Sequence, residues 1–250
     1  MNSNSDQPRG IYLLPNLFTI AGIFSGFFSI ISSFKGNYEI AAITIFVAMV
    51  MDTLDGRIAR LTNTMTNFGG QFDSMADMVS FAVAPAVLAY AWGLHQLGKI
   101  GWVVAFVYTV AVALRLARFN TQLAVASKKY FQGLPCPTAA AVISSLVWIH
   151  SGSVGNELPA IPLVGILATI TLVVAVLMVS NIRYHSFKDI ELKRNVRFFV
   201  ILIVVVVLAL IAIDPEKVLF GLFLGYAVSG PITTVWELRQ KRLQRKRLIK

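Results

Sequence analysis

Asp52-Thr-Leu-Asp55-Gly56-Arg57-Ile-Ala59-Arg60-Leu61 leads through Thr62-Asn-Thr-Met-Thr66 into Asn67-Phe-Gly69-Gly70-Gln-Phe-Asp73-Ser-Met-Ala-Asp77. The stretch sets four carboxylates, two arginines and three glycines between two apolar segments. On a helix, Asp52 and Asp55 share one face, and so do Asp73 and Asp77. If the two helices are antiparallel neighbours joined by the polar turn, both pairs converge on one point. Four carboxylates near a membrane cannot all stay ionised unless cations neutralise them. Hard oxygen ligands in that number suit Mg²⁺, Mn²⁺ or Ca²⁺, and four can hold two ions. Two divalent ions beside an arginine make a site for phosphate chemistry.

The flanks explain why a membrane enters the reasoning. Of 250 residues, 56% are hydrophobic and 14% charged, and the mean hydropathy is +0.71. That composition belongs to a membrane protein, not to a soluble core. A single cysteine, Cys136, excludes an internal disulfide framework. Eight apolar runs are expected as transmembrane helices, at about 14–34, 38–61, 70–94, 100–119, 138–152, 159–181, 197–213 and 216–236. Each is close to the roughly 20 residues that cross a bilayer. The first is too long for a signal-peptide core and reads as a retained anchor. Pro85 is expected to kink the third run, and the fifth is the shortest. No internal repeat and no soluble second domain is found. The expected organisation is one all-α membrane domain over residues 1–238 and a basic cytoplasmic tail over 239–250.

The net charge of +10 invites a nucleic-acid reading, but the distribution of cations explains it otherwise. Eight spans place both termini on one side. On that side fall Arg9, Arg57, Arg60, Arg115, Arg118, Lys128, Lys129, Arg183, Lys188, Lys193, Arg194, Arg197 and the whole basic tail. Only Lys35, Lys99 and Lys217 fall on the other. Cation-rich connections stay cytoplasmic, so the termini and the carboxylates are expected at the cytoplasmic face. Nucleic-acid binding is not needed. The tail also suits anionic lipid headgroups.

The spacing Asp52-x2-Asp55-Gly56-x2-Ala59-Arg60-x8-Gly69-x3-Asp73-x3-Asp77 matches every fixed position of the CDP-alcohol phosphotransferase motif, and the chain resembles that family. The resemblance implies transfer of a phosphatidyl group from a CDP-linked lipid to an alcohol, with CMP leaving. It implies two divalent cations, Mg or Mn, with Asp52, Asp55 and Asp73 as ligands. Asp77 matches the general base and counts among the metal-facing carboxylates. Gly56, Ala59, Arg60 and Gly69 match positions lining the cytidine and phosphates. A homodimer in a cell membrane is implied as well. The segments Asp73–Pro85, Arg115-Leu-Ala-Arg118-Phe-Asn120 and Phe131-Gln-Gly133-Leu-Pro135-Cys-Pro137 resemble the serine-accepting branch, although Ala82 stands where that branch has glycine. On this reading the substrates are CDP-diacylglycerol and L-serine. Arg115 and Arg118 become candidates for a serine carboxylate or a lipid phosphate.

Other readings stay open at this level. A sister enzyme would use glycerol 3-phosphate, inositol phosphate or an archaeal ether-lipid substrate. A phosphorylated acceptor demands a denser cationic pocket near Asp77. A cation transporter is the competing class, yet spans seven and eight are almost wholly apolar. Gly56 also speaks against plain helix packing, since glycine inside a helix costs about 1 kcal/mol against alanine unless something approaches the backbone. For Arg115 and Arg118 the plainer alternative is flank charge that sets topology.

Overall fold

The structure is a computed structural model that describes residues 13–123, 130–154, 159–185 and 198–248. Arg9, Lys128, Lys129, Lys188, Lys193, Arg194, Arg197 and Lys250 lie outside the described residues. The helices are α1 (Leu13–Phe34), α2 (Tyr38–Leu61), α3 (Asn67–Asp77), α4 (Ala84–Trp92), α5 (Lys99–Leu123), α6 (Cys136–Val154), α7 (Ile161–Val179), α8 (Phe198–Ile213) and α9 (Pro215–Leu248). They fall on the eight expected apolar runs, because α3 and α4 form one rod through a π-helical segment, Met78–Val83. Among the described residues, five rods are long and apolar enough to cross a membrane, and the chain is a helical multi-pass membrane protein. The charged residues of α2, and the shorter apolar stretches of α6 (Cys136–Ser151) and α8 (16 residues), separate those three from the five. Residues 239–248 continue α9 as helix, so no break marks position 238.

Two short strands, β1 (Tyr130–Gln132) and β2 (Arg183–His185), pair antiparallel. They belong to the connections after the fourth and sixth runs, so these two cation-rich connections meet at one end of the bundle. Gly133 follows β1 at φ +80, where a Cβ would lie 2.1 Å from the Met178 carbonyl oxygen. Only glycine fits there.

The fifth run is the centre of the molecule. Every residue of α6 from Thr138 to Val147 is buried. A helix apolar all round belongs inside a protein, and α6 packs against α2, α4, α7 and α9. α1 and α2 form a hairpin on a stripe of small residues, including Gly22, Gly26 and Ser29 of α1 and Ala41, Ala42 and Ala48 of α2. Small residues let membrane helices approach closely. The Ser29 hydroxyl donates to the Ala41 carbonyl across the hairpin at 2.7 Å. A Cβ on Gly26 would lie 2.8 Å from Ser80 Cα, so α1 seats the π-helical segment directly after Asp77.

Two prolines inside rods are handled by one device. Proline has no N–H, so the carbonyl four residues earlier loses its helical partner. For Pro85 that carbonyl is Phe81, and the buried Tyr108 hydroxyl donates to it at 2.7 Å. For Pro231 it is Ala227, and the Tyr184 hydroxyl donates to it at 3.0 Å. Gly230 makes room, since a Cβ there would lie 2.4 Å from the Tyr184 ring. Burial pushes the Tyr184 phenol up to about 12, so it stays protonated and remains a donor. β2 thereby pins α9 to the bundle.

This gives a coupled prediction. Tyr184→Phe leaves the Ala227 carbonyl without a partner and lowers stability by about 1–3 kcal/mol. In a Pro231→Ala background the helix supplies an N–H to that carbonyl, and the same substitution should cost much less. Thermal unfolding of the four proteins in detergent reads the difference; equal losses in both backgrounds would contradict it.

Candidate active site

The turn between α2 and α3 aims the carboxylates. Thr62 Oγ1 donates to the Ile58 carbonyl at 2.8 Å, and the Thr64 N–H returns to the Ala59 carbonyl at 3.0 Å. Asn63 takes the left-handed conformation, φ 53, which asparagine tolerates. Thr66 then caps α3, its hydroxyl accepting the Gly69 N–H at 3.0 Å. The chain reverses within five residues, and α3 then packs on α1.

The two acidic pairs therefore meet. One carboxylate oxygen each from Asp52, Asp55 and Asp73 lies within 4.8 Å of the others. Asp55 is buried at 5% exposure, while Asp52 and Asp73 are half-buried. Asp77 stands at the edge of this group, within hydrogen-bond reach of Asp52 and within electrostatic reach of Asp73 and of the Arg115 guanidinium. The donor set consists of hard oxygens at close quarters, which fits a divalent cation such as Mg²⁺ or Mn²⁺.

The carboxylates open into one cavity of about 1200 Å³. Gly56, Arg57, Arg60 and Arg115 line it as well. A Cβ on Gly56 would meet only Arg60 Nη2, at 3.9 Å, so the helix backbone is open to the cavity there. Arg60 is steadied by its Nε, which donates to the Gly56 carbonyl at 2.8 Å. Arg115 Nη1 donates to Cys136 Sγ at 3.0 Å, and its Nε is buried with no hydrogen-bond partner among the described residues.

Not every expected residue reaches the cavity. Ala59 and Gly69 are not among its lining residues. Ala59 offers its carbonyl to the α2–α3 turn and Gly69 sits at the α3 cap, so both shape the turn. Arg118 turns to the end of α7, donating to the Val179 carbonyl and to Asn181 Oδ1. Two contributions were missed in the sequence. Leu222, Phe223 and Tyr226 of α9 form a far wall, and Thr19 of α1 donates to Asp55 Oδ2 at 2.8 Å. α9 carries no local signal of this. Thr19 does, as one member of a stripe of small and hydroxyl-bearing residues at helical spacing with Gly22, Gly26, Ser29 and Ser33.

The profile of the CDP-alcohol phosphatidyltransferase family matches residues 12–180, which contain the whole acidic cluster. The chain belongs to that family. A CDP-diacylglycerol--serine O-phosphatidyltransferase from Helicobacter pylori is 36% identical over 87% of this chain and 90% of its own length. An archaetidylserine synthase from Methanothermobacter thermautotrophicus is 35% identical over 72% of this chain and 73% of its own. A CDP-diacylglycerol--serine O-phosphatidyltransferase from Saccharomyces cerevisiae is 37% identical over 56% of each. The chain is an enzyme, and the transporter alternative falls. α9, with its part of the cavity wall, lies beyond the matched family region.

The geometry sets a direct test. Asp52→Asn, Asp55→Asn and Asp73→Asn should each lower CMP release from a CDP-lipid donor by at least about 10²-fold, beyond what loss of an outer-sphere partner causes. Excess EDTA should abolish it, and added Mn²⁺ or Mg²⁺ should restore it. Full activity in EDTA, or in any of the three variants, would contradict a metal role.

Proposed function

We propose that this enzyme transfers the phosphatidyl group of CDP-diacylglycerol to the hydroxyl of L-serine, giving phosphatidylserine and CMP. The observation that carries the reading is the convergence of Asp52, Asp55, Asp73 and Asp77 on one cavity that also holds Arg115. The relatives support serine in particular. Their names differ in the lipid, diacylglycerol or archaetidyl, and agree on serine.

In this proposal Asp52, Asp55 and Asp73 would hold two divalent cations, Mg or Mn, and Asp77 stands beside these three carboxylates. When bound, the cations neutralise charge on the phosphoryl oxygens. The remaining steps belong to the protein. Gly56 leaves room for the nucleotide, and Arg57 and Arg60 face its phosphates. The free Nε of Arg115 suits a carboxylate, which a guanidinium binds through paired N–H groups. We assign the serine carboxylate to Arg115, and leave Arg118 with its partners Val179 and Asn181 at and just beyond the end of α7. Asp77 accepts the proton of the serine hydroxyl. The serine oxygen bonds to the lipid-side phosphorus, the bond from that phosphorus to the bridging oxygen breaks, and CMP leaves with the electron pair. Asp77 stands outside the group of three close carboxylate oxygens, which suits a base better than a ligand.

The orientation proposed is cytoplasmic for the site, both termini and the basic tail, in a cell membrane. The β1–β2 pairing supports it, because it draws two cation-rich connections to one end. The catalytic unit proposed is a single membrane domain over 1–238, and the family resemblance favours a homodimer.

The test offers purified enzyme CDP-diacylglycerol, or its ether-linked counterpart, with labelled serine, glycerol 3-phosphate or inositol phosphate. Label should enter lipid from serine. Entry from a phosphorylated acceptor, with serine inert, would overturn the assignment.

A further inference from the structure

We infer that Thr19 is a positioning residue: its hydroxyl fixes the rotation of the Asp55 carboxylate and so prepares that carboxylate to meet a divalent cation. The inference rests on the metal-dependent reading above. Thr19 is buried at 4% exposure on α1, 36 residues away in sequence from the carboxylate it touches. Its Oγ1 lies 2.8 Å from Asp55 Oδ2 and 3.2 Å from the Pro15 carbonyl oxygen. A hydroxyl has one proton, so it cannot serve both. An ionised carboxylate only accepts, and hydrogen bonds to a charged oxygen are shorter and stronger than those to a neutral carbonyl. The proton therefore goes to Asp55.

The contrast with Ser29 on the same stripe is informative. Ser29 bonds a backbone carbonyl and staples two helices. Thr19 instead bonds one oxygen of the carboxylate that is the most buried of the three clustered ones. With Oδ2 held, Asp55 cannot spin about its last torsion, and its other lone pairs keep one orientation toward Asp52 and Asp73. Partners that orient a ligating carboxylate in this way typically change metal affinity by 10–100-fold when removed. α1 is thereby part of the site although it contributes no carboxylate.

The experiment titrates the purified full-length protein in detergent with Mn²⁺ and reads free Mn²⁺ by electron paramagnetic resonance, without lipid substrate. Thr19→Val and Thr19→Ala both lack the hydroxyl but differ in volume, and both should weaken Mn²⁺ binding by about 10–100-fold. Thr19→Ser keeps the hydroxyl and should bind like the wild type. In turnover, the Mn²⁺ concentration for half-maximal rate should rise in the first two variants, while the rate at saturating Mn²⁺ largely recovers. If Thr19→Val does not fold, the Ala and Ser pair carries the same contrast. A wild-type curve for Thr19→Val or Thr19→Ala, or equal loss in Thr19→Ser, would overturn the role of Thr19 alone. No Mn²⁺ binding by the wild type would overturn the metal reading and this inference with it.

Discussion

Mutual repulsion among the carboxylates at the α2–α3 turn is the constraint on which the rest of the site depends. At the 4.8 Å that bounds Asp52, Asp55 and Asp73, two unit charges repel by about 3 kcal/mol at the effective dielectric typical of protein sites. Three such pairs, with Asp77 beside them, cannot be held together by the short hydrogen-bonded turn alone. Divalent cations would relieve that repulsion, and a cluster that concentrates cations would also draw phosphate oxygens. The same crowding of charge that weakens the fold would thus suit the site to a diphosphate substrate.

The bundle around the cluster is arranged to keep that geometry rigid. α1 reaches it three times, through Thr19 on Asp55, through Gly22, whose carbonyl accepts the Ser80 hydroxyl at 3.0 Å, and through Gly26 against Ser80. The buried α6 fills the centre, and its first turn places Cys136 against Arg115. The two tyrosines that occupy proline-freed carbonyls each hold a rod that lines the site. Tyr108 secures the rod that carries Asp73 and Asp77, and Tyr184 secures α9, whose Tyr226 and Phe223 close the cavity.

Most of the fold was legible because a membrane leaves few options: apolar runs become helices, and their lengths and cation-rich ends are written locally. The acidic cluster was legible for a similar reason, since spacings of three and four residues imply one helical face. Arg115 and Arg118 show where such reasoning stops. Three residues apart on one helix, they have equal standing in sequence. Arg115 meets the start of α6 and the cavity, whereas Arg118 meets the end of α7. Ala59 and Gly69 are fixed positions of the motif, yet their visible work is in the turn. The share of α9 in the wall depends on a contact between β2 and a distant helix, which no local pattern encodes. The fifth run is the shortest in the sequence, and it is the helix most enclosed by others.

We propose that transfer is one direct displacement at a cation-neutralised carboxylate cluster, with Asp77 as base and no carboxylate as nucleophile. A covalent phosphatidyl-enzyme would need two displacements. The most direct measurement uses CDP-diacylglycerol made chiral at the transferred phosphorus and follows the configuration of the phosphatidylserine formed. Inversion is the result this account requires. Retention, or exchange of labelled CMP into CDP-diacylglycerol in the absence of serine, would contradict it.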